Sequence, residues 1–180
     1  FSHFDIKGTV SAIGERPFFG LYSEKLQAEY SLLEMVLNIS GAYIGSIEHI
    51  KCSVNWMWAN NSNGEMLKLY NTATHLTNAL IKLGIGIDGG KDSLSMMVKN
   101  DTEDIVSPGN VVVTSYAPCL DINRGITPDL KDIFSSIIYI PLVNKNFEHS
   151  SNELMLKGSI FSRVNMVPSE TLQCPPSIDF

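Results

Sequence analysis

The sequence predicts an α/β (α+β) fold with helices layered over a sheet, and three observations predict it. Two segments repeat apolar residues at helical spacing, short runs rich in β-branched and aromatic residues fall between and after them, and turn residues separate the two kinds of segment.

The first helix is expected over 24–46, where Leu26, Tyr30, Leu33, Leu37 and Ile44 recur near helical spacing. Ser23 is placed to cap it, and Pro17 and Gly20 break the chain upstream. The run "IKCSVNWMW" at 50–58 reads as a strand. After the turn-rich "NNSNG", a second helix puts Met66, Leu69, Tyr70, Ala73, Leu76, Leu80 and Leu83 on one stripe. Lys68, Asn71, Asn78 and Lys82 take its outer face, and Gly84 ends it. "IGI" and "SLSMMV" are strand signals on either side of a glycine-rich loop, and "NVVVTSYA" follows a Ser-Pro-Gly turn. "SSIIYIPLV" at 135–143 is a further short strand. From Ile126 the composition shifts toward turn residues, which marks a domain boundary, and the tail from Asn144 is polar and poorly periodic.

With 180 residues, 44% of them hydrophobic, the chain is long enough to bury a core of its own. A net charge of −6 and a pI near 5.1 leave no basic footprint, which argues against nucleic acid or an anionic membrane as partner. Cys52, Cys119 and Cys174 are odd in number, far apart and without C-x-x-C spacing, so neither a disulfide framework nor a zinc site is indicated. A reducing, cytoplasmic setting fits best. No apolar run approaches the roughly 20 residues that span a bilayer, and "FSHFDIKGTV" lacks the regions of a signal peptide. The start at Phe1 and the Pro-rich end "CPPSIDF" read as those of a piece of something longer.

Two stretches carry candidate chemistry. In "LLEMVLNI", Glu34 and Asn38 are the only polar side chains, and their i, i+4 spacing sets both on one side of the helix. A carboxylate amid that much hydrocarbon needs a partner, and an oxygen-only pair suits magnesium completed by phosphate and water. The alternative reading turns Glu34 to solvent and bonds Asn38 to a neighbouring loop.

The second stretch is "GIDGGKDSLSM". It is not the P-loop G-x-x-x-x-G-K-[ST], because Ile85 and Asp92 occupy the positions of the first glycine and the magnesium-binding hydroxyl. Its glycines allow close backbone approach, Lys91 offers a point charge to a phosphate or carboxylate, and Ser93 can donate to an anionic oxygen. Equally, it reads as a tight loop entering a strand, with Lys91 and Asp92 solvated. Asn55 is a further candidate contact, whereas Trp56 and Trp58 are expected in the core. None of His3, His49, His75 and His149 lies in a triad or metal pattern, so a nucleophilic mechanism has no support.

Taken in order, "AIGERP", "LLEMVLN", "IKCSVNWMWA", "GIDGGKDSLSM" and "TSYAPCLDINRGITPDLK" resemble consecutive motifs of the large multidomain phosphoribosylformylglycinamidine synthases of purine synthesis, over 11–143. The resemblance implies an ATP-dependent ligase that phosphorylates the amide oxygen of formylglycinamide ribonucleotide and lets ammonia from a glutaminase domain displace the phosphate. It implies two pseudo-equivalent halves of the aminoimidazole-ribonucleotide-synthetase type, whose N-type parts pair into a barrel-like sheet. This chain resembles the second half. Residues 1–125 would then be a partial N-type subdomain, with helices on a mixed sheet, and 126–180 the start of a C-type subdomain.

By the same resemblance, Glu34 and Asn38 fall on an E-x-x-x-N helix that binds Mg2+ beside a nucleotide, ATP or ADP. Gly90, Lys91, Asp92 and Ser93 fall where smaller relatives carry a G-N-V-S motif that touches ATP, magnesium and substrate. Ser93 matches that motif, while Lys91 and Asp92 depart from it. Val54 stands where a small residue is expected, and "LMLKGSIFSRV" only loosely resembles an L-G-G-[ST] helix start. The family's metal-binding aspartates, its glycine-rich ATP segment and the glutaminase Cys-His-Glu set are not matched here, so no catalytic residue is assigned and the fragment alone is expected to be inactive. The competing expectation is a non-catalytic nucleotide- or partner-binding module derived from such a half.

Overall fold

The computed structural model describes residues 3–131, 134–140, 155–168 and 172–180. Its centre is a four-stranded mixed sheet in the order β1-β6-β2-β3, built from β1 (Gly8–Glu15), β2 (Lys51–Met57), β3 (Gly86–Ser93) and β6 (Asn110–Cys119). β6 runs antiparallel to both β1 and β2, while β2 and β3 are parallel. A parallel pair needs a long crossover, and α2 (Glu65–Leu83) supplies it. A two-stranded ribbon, β4 (Met97–Val98) with β5 (Ile105–Val106), leads into β6.

Both long helices, α1 (Glu24–Ile39) and α2, pack on one face of the sheet. Leu32, Met35, Ile39, Leu76 and Leu80 meet Cys52, Val54, Val111 and Val113 in the core. Trp58 is 2% exposed and Trp56 packs at the margin of the same cluster, as expected for both tryptophans. Caps fix the helix ends: the Ser23 hydroxyl accepts from the Leu26 N–H at 3.3 Å, and Gly84, at φ +69°, closes α2 in the left-handed region.

Several expectations are corrected. α1 stops at Ile39, not Ser46, because the Ser40 hydroxyl and N–H both turn back to the Leu37 carbonyl (2.7 and 3.3 Å) and Gly41 follows. Its buried stripe is Ala28, Leu32, Met35 and Ile39, whereas Leu37 is 53% exposed. In α2 the inward face is Thr72, Leu76, Ala79 and Leu80; Thr72 is buried because its hydroxyl donates to the Lys68 carbonyl at 2.9 Å, and Tyr70 is 68% exposed. Residues 86–93 are a continuous strand rather than a loop between strands. The expected strand at 135–143 is absent over 135–140, which carry no ladder bonds, and 141–143 lie outside the described residues. β1 was not anticipated.

The last two described segments return to α1 and to the turn before it. The Tyr30 hydroxyl donates to the Pro176 carbonyl at 3.0 Å, the Ile178 N–H to Glu29 Oε2 at 3.1 Å, and the Arg163 guanidinium covers the Phe18 ring at 3.9 Å. A short helix, α3 (Ile160–Val164), begins at the Ser159 cap within the stretch compared above to a helix start. No helix among the described residues is long and apolar enough to cross a membrane.

Candidate functional site

The outer edge of β1 is held by α1. Ile13 and Glu15 point their free backbone groups away from β6, where an uncovered edge would invite further strand pairing. Asn38 Nδ2 donates to the Ile13 carbonyl and Glu34 Oε2 accepts from the Glu15 N–H, each at 2.8 Å. The spacing explains the match: four helical residues rise about 6 Å and two strand residues about 6.6 Å. Between them Gly14 lets the strand touch the helix, since a Cβ there would overlap the Ser31 carbonyl oxygen.

The other oxygen of Glu34, Oε1, pairs with Arg16 Nη2 at 2.8 Å. The Glu15 carboxylate accepts from Asn110 Nδ2, also at 2.8 Å. Both carboxylates and Arg16 line a cavity of about 620 Å³ that Phe18, Phe19, Tyr30 and residues 158–160 complete. Tyr30 packs edge-on against Phe19 with ring centroids 4.8 Å apart, and burial, helped by the nearby Glu29 charge, pushes its phenol pKa up.

The oxygen chemistry of this corner suits a hard divalent cation. Glu34, Glu15 and the amide oxygen of Asn38 are of the right type, and a bound phosphate with water would finish a magnesium shell. Among the described residues no group of three His, Cys, Asp or Glu side chains is gathered for a metal, so the chain offers a partial set. A cation already stands in: the Arg16 guanidinium.

Gly90, Lys91, Asp92 and Ser93 lie in β3, parallel to β2. A Cβ on Gly90 would overlap the Val54 carbonyl oxygen, so glycine is what allows the two strands to pair here. The register slips between Cys52 and Ser53, leaving Asp88 as the extra residue, and from there Lys91 pairs with Asn55 and Ser93 with Met57. By strand alternation Lys91 and Ser93 share the face away from the helices, and Lys91 Nζ donates to Ser93 Oγ at 2.7 Å. Asp92, paired with Trp56, points to the opposite face. Lys91 Nζ also donates to the Asp92 carbonyl at 2.7 Å, so the structure joins Lys91 to Ser93 and to the Asp92 backbone and sets only the Asp92 side chain apart.

The two candidate clusters lie at opposite edges of the sheet. Glu15, Val112, Asn55 and Lys91 form a row across the sheet, and three strand spacings put its ends about 14 Å apart. Glu34 and Asn38 belong to the β1 edge, and Lys91 and Ser93 to the β3 edge.

Sequence reasoning passed over Arg16, Glu15, Asp88 and Tyr116. The first two lie within the quoted "AIGERP", where an acid and a base before proline were the available signal. Tyr116 on β6 hydrogen-bonds Asp88 across the open face, which raises its phenol pKa. That pairing joins residues far apart in the chain and leaves no local trace. Cys52 is buried and its thiol is pushed up to about 11, first by burial and then by Asp88, so it is no nucleophile.

A sequence model of the FGAR-AT PurM_N-like domain family matches residues 1–118. The probable phosphoribosylformylglycinamidine synthase of Arabidopsis thaliana, named as chloroplastic/mitochondrial, is 43% identical over 127 residues, which is 71% of this chain and 9% of that protein. The human phosphoribosylformylglycinamidine synthase is 38% identical over 130 residues, 72% of this chain and 10% of its own length. For the probable Caenorhabditis elegans synthase, 35% identity extends over 164 residues, 91% of this chain and 12% of that one. The chain thus spans about a tenth of the length of the curated relatives it matches. Among solved structures, Thermotoga maritima PurL complexed with FGAR aligns with a TM-score of 0.53 at 19% identity, over 71% of this chain and 20% of that one, a likeness of fold.

Proposed function

Because this chain belongs to the FGAR-AT PurM_N-like domain family, we propose that it serves as part of an ATP-dependent ligase that converts formylglycinamide ribonucleotide to its amidine in purine synthesis. The observation that carries this is the family match over residues 1–118 together with relatives of 35–43% identity that all bear the synthase name. The remaining synthetase half and a glutaminase domain, as ammonia source, are its partners. Residues 1–125 form the N-type subdomain and 126–180 open the C-type one. The compartment is cytoplasmic.

Within that reading, Glu34, on the cavity wall, and Asn38, one turn further along α1 and outside that wall, are ligands of a magnesium ion held with ATP or ADP. The oxygen-only donor set and the position of Glu34 on the cavity wall support it. Magnesium held by Glu34 and Asn38 would supply positive charge against the phosphates; the chain's own residues hold β1 against α1 and shape the cavity. Gly90, Lys91, Asp92 and Ser93 form the substrate-side segment. Lys91 supplies positive charge, Ser93 a hydroxyl, Gly90 the close strand approach, and Asp92 acts from the other face.

The test is made on the intact polypeptide that carries this chain, purified in wild-type and Glu34→Ala forms and analysed for retained nucleotide and metal. Loss of both in the variant supports the assignment; undiminished nucleotide removes it. Amidine formation from formylglycinamide ribonucleotide, ATP and glutamine tests the ligase reading itself. A nucleotide-binding polypeptide without that activity would instead be a binding module.

A further inference from the structure

The cation role proposed for Glu34 leaves a feature of the same corner unexplained: one of its two oxygens is already occupied by a fixed positive charge. Arg16 Nη2 stands 2.8 Å from Glu34 Oε1, while Oε2 is committed to the Glu15 N–H at the same distance. A free divalent ion that approaches Glu34 must therefore displace a guanidinium or sit beside it, and two cations on one carboxylate repel.

We propose that Arg16 is a built-in competitor at Glu34, so that the site takes a divalent cation together with a polyphosphate and discriminates against the free ion. The inference rests on the metal reading of Glu34 and adds a discriminating residue to it. The anchoring of Arg16 supports it. Its neighbour Glu15 is pinned through the backbone by Glu34 and through the side chain by Asn110. Pro17, on the other side, begins a 3-10 turn with a fixed φ. The backbone of Arg16 thus stays in place, and what can move is its side chain, which is 42% exposed.

That side chain has somewhere to go. Arg16 and Glu34 line the same cavity of about 620 Å³, a size typical of small-molecule sites. A guanidinium pairs bidentately with phosphate oxygens. When an anionic phosphate enters with the metal, Arg16 exchanges its carboxylate partner for the phosphate, and Glu34 Oε1 is released to the cation. No counter-charge accompanies the free ion, so Arg16 stays. The metal and the nucleotide then bind with positive coupling, each raising the affinity of the other by the same factor.

The experiment uses the intact polypeptide stripped of metal and nucleotide, with Mn2+ as probe read by the electron paramagnetic resonance signal of the free ion, with and without ADP. The component of Mn2+ binding that Glu34→Gln removes defines the site. Wild-type protein is expected to bind free Mn2+ weakly there and to gain affinity by about tenfold or more with ADP. Arg16→Gln is expected to bind free Mn2+ about tenfold tighter and to lose most of the ADP enhancement. Free-ion binding no tighter in Arg16→Gln, or an undiminished ADP effect, overturns the competitor role. Should that variant not fold, wild-type protein still decides: equal Mn2+ affinity with and without ADP also overturns it. If Glu34→Gln binds Mn2+ and ADP as the wild type does, the metal reading falls; if Glu34→Gln loses them while Arg16→Gln matches wild type, only the competitor inference falls.

Discussion

Gly90 faces the Val54 carbonyl oxygen so closely that a side chain at this position would overlap it. The clash would be with backbone in a parallel pair, which cannot rotate aside as a side chain could. Gly90→Ala is therefore expected to force β3 away from β2 and to destabilise the chain by about 1–3 kcal/mol, the usual cost of overpacking. Urea unfolding reads this directly. An unchanged midpoint would mean that the strands are not paired in this register.

The phase of α1 gives a second, paired prediction. Leu32 is fully buried against the sheet, while Leu37 is 53% exposed. Leu32→Ala should cost about 2–5 kcal/mol, whereas Leu37→Ala should stay within about 0.5 kcal/mol. Equal losses would contradict the observed facing of the helix.

This pair of leucines also shows what the sequence could and could not reveal. Both helices were legible because capping is local: Ser23 and Gly84 mark their ends by chemistry that needs no tertiary contact. The phase of α1 was not, because "LLEMVL" is apolar almost all round, and only packing chooses Leu32 and Met35 over Leu33 and Leu37. β1 was hidden because its inward residues Val10, Ala12 and Gly14 are mostly small, and small they must be where the strand touches α1. β3 reads as a loop for a related reason. Its glycines and charges have low strand propensity, and neighbouring β2 overrides it. The i, i+4 spacing of Glu34 and Asn38 signalled a shared task, but the groups they hold, the Glu15 N–H and the Ile13 carbonyl, belong to backbone and carry no residue-type signature.

Cys52 supplies a pH test. Its thiol pKa is raised from the ordinary 9.0 to about 11, so the folded state disfavours the thiolate that the unfolded chain forms freely. The unfolded state then binds fewer protons across that window, and stability should be intact below about pH 9, fall up to about pH 11 and level off above it. Tyr116, raised by its hydrogen bond to Asp88, acts in the same direction. Unfolding midpoints along this range check the sign. In the folded chain at mildly alkaline pH, iodoacetamide should reach the partly exposed Cys174 before the buried Cys52 and Cys119.

Lys91 tests the β3 segment. Its ammonium donates to Ser93 Oγ on the open face, which places a positive charge beside the hydroxyl proposed to meet substrate. In the intact polypeptide, Lys91→Met is expected to raise KM for the ribonucleotide about tenfold or more while changing kcat less, the pattern of lost binding to an anionic group. A fall in kcat at constant KM would move Lys91 from binding to the chemical step.

Asn38 can separate the two tasks assigned to the β1 edge. Its Nδ2 donates to the Ile13 carbonyl at 2.8 Å, a contact that closes the sheet edge, while the metal reading needs only its oxygen. Asn38→Asp keeps an oxygen donor for a cation, removes the N–H, and sets a carboxylate against a carbonyl. Without ligand the variant should lose about 1 kcal/mol, the scale of a hydrogen bond exchanged with water. Magnesium with ADP should then restore more stability to it than to the wild type, because the added charge is neutralised on binding. Melting curves with and without the pair of ligands give both numbers from one preparation. A variant that is weakened but gains no extra stabilisation from magnesium and ADP would leave Asn38 as a clamp on β1, with the cation served by Glu34 and the phosphates.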